Sequence, residues 1–176
     1  MQEDYFELFQ ITPGFDIDVA KLRSIQQELQ TQFHPDKHVN ADADVQRQSV
    51  AQAATINEAY QVLSNPVRRA RYLLQREGIE FNDESETTAD TAFLMEQIEY
   101  REAMDNCRDS EDPLHSCDLL IQTLQSRLDG LGEEFVSKFD REEIEEARLT
   151  SRKMQFVENV LQQVIELQYE LEDELS

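Results

Sequence analysis

The residues best placed to do chemistry are the tripeptide His34-Pro35-Asp36 and, further along, Cys107, His115 and Cys117. A histidine and an aspartate two positions apart carry the groups for proton transfer. Nothing around them completes a catalytic site, because no nucleophile, oxyanion device or cofactor motif accompanies them. Neither G-x-x-x-x-G-K-S/T nor G-x-G-x-x-G occurs, so no nucleotide site is signalled. None of the three histidines, His34, His38 and His115, stands in a metal-ligand spacing with cysteine. Cys107 and Cys117 fall at apolar stripe positions of neighbouring predicted helices and read as buried free thiols rather than a redox pair. Neither a metal nor a cofactor is expected. The alternative, an acid–base enzyme using His34 and Asp36, would be supported by turnover of a small substrate without a partner.

Composition narrows the field. The 176 residues carry 16 Lys+Arg against 38 Asp+Glu, a net charge of −22. That argues against nucleic acid, whose phosphates are held by Lys and Arg, and against anionic membrane surfaces. No apolar run approaches the roughly 20 residues of a membrane span. No charged-then-apolar leader is read at the start, where Glu3 and Asp4 follow Met1. Four Gly and four Pro are too few for the turns of a sandwich or barrel. The charge is also uneven: residues 1–78 sum to −3 and residues 79–176 to −19. That shift predicts two modules.

The whole chain reads as helix, an all-α fold. A short helix is expected from Glu3 to Phe9, ended by the turn at Pro13-Gly14. Asp18 is a plausible N-cap for a second helix with Leu22, Ile25, Leu29 and Phe33 on one face. Pro35 disfavours helix at His34 and ends it there. Lys37 to Asp44 reads as loop. Ala53, Ile56, Tyr60 and Leu63 mark a third helix, and Asn65-Pro66 opens a fourth, stopped by Gly78. Arg68, Arg69, Arg71 and Arg76 on that fourth helix read chiefly as a solvated face. Residues 79–88 are acidic and unpatterned and read as a linker between a module at 1–78 and one at 89–176.

Three longer helices follow, from about Asp90 to Cys107, Pro113 to Phe139 and Glu142 to Leu175. Leu114, Cys117, Ile121, Leu124, Leu128, Leu131 and Phe135 alternate spacings of 3 and 4. Met154, Val157, Leu161, Val164, Gln168, Leu171 and Leu175 make a second stripe. Short connections favour an antiparallel three-helix bundle. The first of these helices has two apolar faces. Phe93, Tyr100, Met104 and Cys107 lie within about 60° of one another at 100° per residue, while Leu94, Met95 and Ile98 cluster about 140–150° away. The second face either packs against the N-terminal module or awaits a partner. A free-standing coiled coil built on the long seam is a further alternative, tested by light scattering.

The N-terminal segments resemble a J-domain in order and spacing. The resemblance rests on Asp4-Tyr5-Phe6-Glu7-Leu8-Phe9, Gln30-Thr31-Gln32-Phe33, His34-Pro35-Asp36-Lys37 and Ile56-Asn57-Glu58-Ala59-Tyr60-Gln61-Val62-Leu63. It covers about residues 3–76. It implies four helices with the second and third antiparallel, and a co-chaperone that stimulates ATP hydrolysis by a DnaK-type partner. Carried over, Asp36 would offer a carboxylate to a partner arginine, Pro35 would stiffen the loop and His34 would shape it. Lys37, Lys21 and Arg23 would meet acidic surface on the partner. The second helix departs from the family in having only Lys21 and Arg23 against Glu28, which predicts weaker or more selective docking.

The second half is similar to the HscB (Hsc20) family of iron–sulfur cluster assembly co-chaperones. Asp90-Thr91-Ala92-Phe93-Leu94-Met95-Glu96-Gln97 carries that resemblance, together with chain length and the two-module layout. Phe9 stands where general J-domains have Gly, and the Gly/Phe-rich segment and C-x-x-C-x-G-x-G repeats of those proteins are absent. The resemblance implies a cytoplasmic, non-enzymatic adaptor. Its C-terminal bundle would bind the scaffold protein on which clusters are built, and its J-domain would deliver that scaffold to an HscA-like chaperone. Leu94, Met95, Ile98 and Phe156 would touch the scaffold, with Glu99 and Glu102 as polar neighbours. A general J-protein serving a housekeeping DnaK is the nearest alternative.

Overall fold

The computed structural model describes residues 4–33, 42–81 and 90–175, and the described residues form seven helices. They fall into two compact units, residues 1–78 and 79–176.

The first unit holds α1 (Tyr5–Leu8), α2 (Val19–Gln32), α3 (Ala43–Ser64) and α4 (Pro66–Arg76). Each start has a local cause. Asp4 caps α1 by accepting from the Phe6 and Glu7 amides, and Asp18 caps α2 by accepting from Lys21. Asn65 caps α4, with Pro66 at its first position. α3 starts at Ala43, so the loop expected through Asp44 ends sooner; Asp44 lies in the first turn, where a carboxylate suits the helix dipole. Gly78 follows the end of α4 at φ +83°, a left-handed conformation that costs a residue with a Cβ about 1 kcal/mol. α3 packs against all three other helices. Phe6, Phe9, Leu22, Ile56, Leu63, Val67 and Leu74 are fully buried around it.

α4 corrects one expectation. Arg69 is 6% exposed and is not part of a solvated face. Its Nη1 donates to the Leu63 carbonyl and its guanidinium lies 5.0 Å from the Phe15 ring centre. Burial pulls its pKa down, with the Asp16 charge opposing. Arg76 donates from Nε to Asp4 Oδ2 at 2.9 Å and lies over Phe6. Tyr72 stacks on Tyr5 at 4.8 Å and its hydroxyl accepts from the Tyr5 amide at 2.9 Å. One face of α4 thus ties the N-terminal segment down through side chains far apart in sequence.

The second unit holds α5 (Thr91–Arg108), α6 (Pro113–Asp140) and α7 (Ile144–Leu175). Asp90 caps α5 and Asp112 caps α6, whose first residue is Pro113. The ladder Thr150–Glu134 and Gln168–Asp118 makes α6 and α7 antiparallel. The pairs Lys153–Asp90 and Arg108–Glu170 make α5 and α7 parallel. Among the described helices, α6 and α7 pack together most extensively. Along the expected seams Cys117, Leu124, Leu131, Phe135, Met154, Val157, Leu161, Val164 and Leu171 are buried. Ala147, Thr150 and Ser151 are buried as well, extending the α7 stripe toward its start through small residues that sequence periodicity does not flag. The α6–α7 turn holds Glu142 at φ +61°, with Glu142 and Glu143 amides donating to Phe139 and Lys138 carbonyls. This is a helix-ending motif that glycine usually serves, so α7 begins at Ile144 rather than Glu142.

Candidate functional site

The N-terminal candidate surface spans the junction of α2 and α3. His34, Pro35, Asp36 and Lys37 lie outside the described residues. What holds the two ends of that segment is described. Ser49, 5% exposed, donates its hydroxyl to the Phe33 carbonyl at 2.8 Å, pinning the last residue before His34 to α3. Gln30 Nε2 donates to Asn57 Oδ1 at 2.6 Å, so the two helices run antiparallel. Neither contact is legible in sequence, since serine and glutamine carry no pairing code.

Lys21 and Arg23 are both exposed on the first turns of α2. They flank Leu22, which is fully buried, and residues two apart point to different sides of a helix. At 1.5 Å of rise per residue they stand roughly 15–18 Å along the helix from Phe33. Lys21 and Arg23 thus stand on different sides of α2.

The C-terminal candidate surface is on α5. Phe93 (5% exposed) and Cys107 (5%) are its buried residues, with Tyr100 and Met104 half-buried on the same face. Leu94, Met95 and Ile98 are 41%, 53% and 50% exposed. Glu99, Arg101 and Glu102 are exposed too. Of the two faces legible in sequence, the Phe93 face is inward. Phe156 on α7 is half-buried and packs edge-on against Phe93 at 5.5 Å between ring centres, so it belongs beside the start of α5.

Polar contacts seat this helix. Arg127 on α6 donates to Glu96 through two nitrogens, Nε at 2.6 Å and Nη2 at 3.1 Å, and the Tyr100 hydroxyl donates to the same carboxylate at 2.8 Å. Burial alone would raise the Glu96 pKa, but these donors outweigh it and hold the carboxyl below its ordinary value. Burial and the bond to Glu96 push the Tyr100 phenol up to about 12. At the N-terminus, Lys153 reaches Asp90 at 2.6 Å and lies 5.5 Å from the Phe93 ring centre. The sequence places Tyr100 on an apolar stripe and Glu96 in the segment that resembles the family, without the contact between them, and it does not single out Arg127 or Lys153. Only the i,i+4 spacing of Glu96 and Tyr100 signalled any of this.

Cys107 and Cys117 are free and buried on α5 and α6. Burial pushes both thiols up, Cys117 to about 11, which suits inert packing rather than chemistry. Among the described residues no group of three His, Cys, Asp or Glu is arranged to hold a metal ion. No described helix is long and apolar enough to cross a membrane.

Residues 4–72 match the DnaJ domain family, and residues 89–165 match the family described as HSCB C-terminal oligomerisation domain. The chain is 40% identical over 157 residues to a co-chaperone protein HscB homolog of Shewanella baltica, covering 88% of this chain and 90% of that one. The chain belongs to the HscB co-chaperone family. A Shewanella halifaxensis HscB homolog is 46% identical over 110 residues, 62% of this chain and 63% of that one. Among solved structures, chaperone HscB from Vibrio cholerae superposes with a TM-score of 0.85 at 32% identity, covering 96% of this chain and 99% of that one. Human co-chaperone HscB superposes at 0.83 with 26% identity, over 92% and 80%. As an HscB co-chaperone with a J-domain, the protein is not itself an enzyme.

Proposed function

We propose that this HscB-family chain is an adaptor that carries an iron–sulfur cluster scaffold protein to a DnaK-type, HscA-like chaperone in the cytoplasm and stimulates that chaperone's ATPase. The observation that carries the reading is the outer face of α5. Leu94, Met95 and Ile98 stand together, 41–53% exposed, on a helix whose opposite face is already buried. Leaving three such side chains about half in water forgoes part of the roughly 1.5–3 kcal/mol that full burial of each would contribute. A partner's apolar surface would recover that energy. Glu99 and Glu102 would supply a polar rim and Phe156 an aromatic edge at the same end.

The chaperone-facing part is the segment His34-Pro35-Asp36-Lys37, with Lys21 and Arg23 on α2 as outlying charges. An aspartate there would take a partner arginine in a charge-assisted contact. Joining two binding faces on one chain raises the scaffold's effective concentration at the chaperone without new contacts.

The test uses two variants of the full chain. Asp36→Ala removes stimulation of the chaperone's ATPase and leaves scaffold affinity unchanged; retained stimulation overturns the docking role. Leu94→Ala with Met95→Ala weakens scaffold binding by about tenfold or more, 1.4 kcal/mol, in a calorimetric titration. An unchanged affinity would refute α5 as the scaffold face.

A further inference from the structure

α5 carries two apolar faces, and burial alone does not choose between them. The Phe93 face carries four residues, Phe93, Tyr100, Met104 and Cys107, and the face of Leu94, Met95 and Ile98 three, roughly 140–150° apart. What separates them is the charge on either flank of the inward face. On one flank, Glu96 meets Arg127 of α6. On the other, Asp90 and Arg108 meet Lys153 and Glu170 of α7. A helix clamped on both flanks cannot turn about its axis without breaking ion pairs.

The three clamps are unequal. Arg108–Glu170 is open to solvent, with side chains 50% and 64% exposed, and exposed pairs contribute little. Asp90–Lys153 sits at the helix end. Glu96–Arg127 is the mid-helix pair, 21% and 36% exposed. It combines two parallel nitrogen–oxygen contacts with a third donor, the Tyr100 hydroxyl. A planar guanidinium gripping both carboxylate oxygens fixes direction as well as distance, which a single point charge does not.

We propose that Arg127 is a positioning residue: its grip on Glu96, reinforced by Tyr100, sets the rotation of α5 and so determines which apolar face is offered outward. The consequence for binding rests on the reading of that face as the scaffold surface. The rotational claim concerns the free chain and stands apart from it.

Hydrogen exchange followed by mass spectrometry on the full chain tests it. Arg127→Gln speeds exchange of the α5 amides by about tenfold while α6 and α7 stay within about twofold of wild type. Arg127→Lys, which keeps the charge and loses the second contact, falls between, and it serves alone if Arg127→Gln does not fold. Under conditions where the variant is folded by circular dichroism, its affinity for the scaffold protein falls about tenfold. Unchanged α5 exchange overturns the proposal, and so does equal acceleration of all three helices, which would make Arg127 a general stability residue. Lost affinity with α5 exchange unchanged would make it a direct contact instead. A wild-type chain that fails to bind the scaffold refutes the functional reading and leaves the exchange result to judge the rotation.

Discussion

α5 and α6 are neighbours in one bundle and are held in opposite ways. Over 28 residues α6 buries Cys117, Leu120, Leu124, Leu131, Gly132 and Phe135, and it shares its long seam with α7. Over 18 residues α5 buries only Phe93 and Cys107, and ion pairs to both neighbours do much of the rest. Apolar burial is strong but points only roughly, whereas a two-point ion pair is weaker and directional. A helix seated by a few directional contacts can leave apolar residues in water, and α5 leaves three.

The largest break in this contrast comes from the seam. Leu124→Ala should cost about 2–5 kcal/mol in a urea melt, because Leu124 is fully buried and its cavity has few ways to close. A loss below about 1 kcal/mol would mean that α6 is not held by its seam. Tyr100→Phe should cost about 1.5–3 kcal/mol, one hydrogen bond to a charged group, with the loosening confined to α5. Loosening that spreads to α7 would show that the network serves the whole bundle.

Acid sharpens the contrast further. The folded Glu96 sits below its ordinary pKa of 4.5, so its contribution is present above that value and lost as pH falls through the lower folded value. Glu134, lowered by Lys138 and Thr150 against the effect of burial, adds an acid loss on the α6–α7 side. Glu96→Gln should therefore flatten the acid limb of α5 exchange and leave that of α6 and α7 as it was. At high pH the sign reverses: the Tyr100 contribution is present below about pH 10 and is lost as pH rises through about 12. The smallest effect belongs to Leu94→Ala, about 1 kcal/mol or less, since Leu94 is already 41% exposed. A cost matching that of Leu124→Ala would place Leu94 in a core.

The outline of the fold was legible because helix ends are local. Asp18, Asn65-Pro66, Asp90 and Pro113 signalled starts within a few residues of where the caps form, and Gly78 signalled a stop. Where the local signal was missing, the reading slipped. Glu142 takes a left-handed conformation that its residue type does not advertise, and the start of α7 moved by two residues. Arg69 read as surface because arginine usually is, yet the Leu63 carbonyl and the Phe15 ring make a place for it inside.

The same division runs through the candidate surfaces. Residue types and spacing alone determined that the chain is helical, that it has two modules of unlike charge, that a His-Pro-Asp tripeptide interrupts two helices, and that α5 has two apolar faces. Periodicity reports that a helix has an apolar side. When it has two, periodicity does not say which of them finds a neighbouring helix, because burying either lowers the free energy. Tertiary structure ranked them through contacts between residues 31 and 63 positions apart, Glu96 with Arg127 and Asp90 with Lys153. Those contacts join α5 to α6 and α7 on the side where Phe93 and Cys107 are buried, while Leu94, Met95 and Ile98 stand exposed.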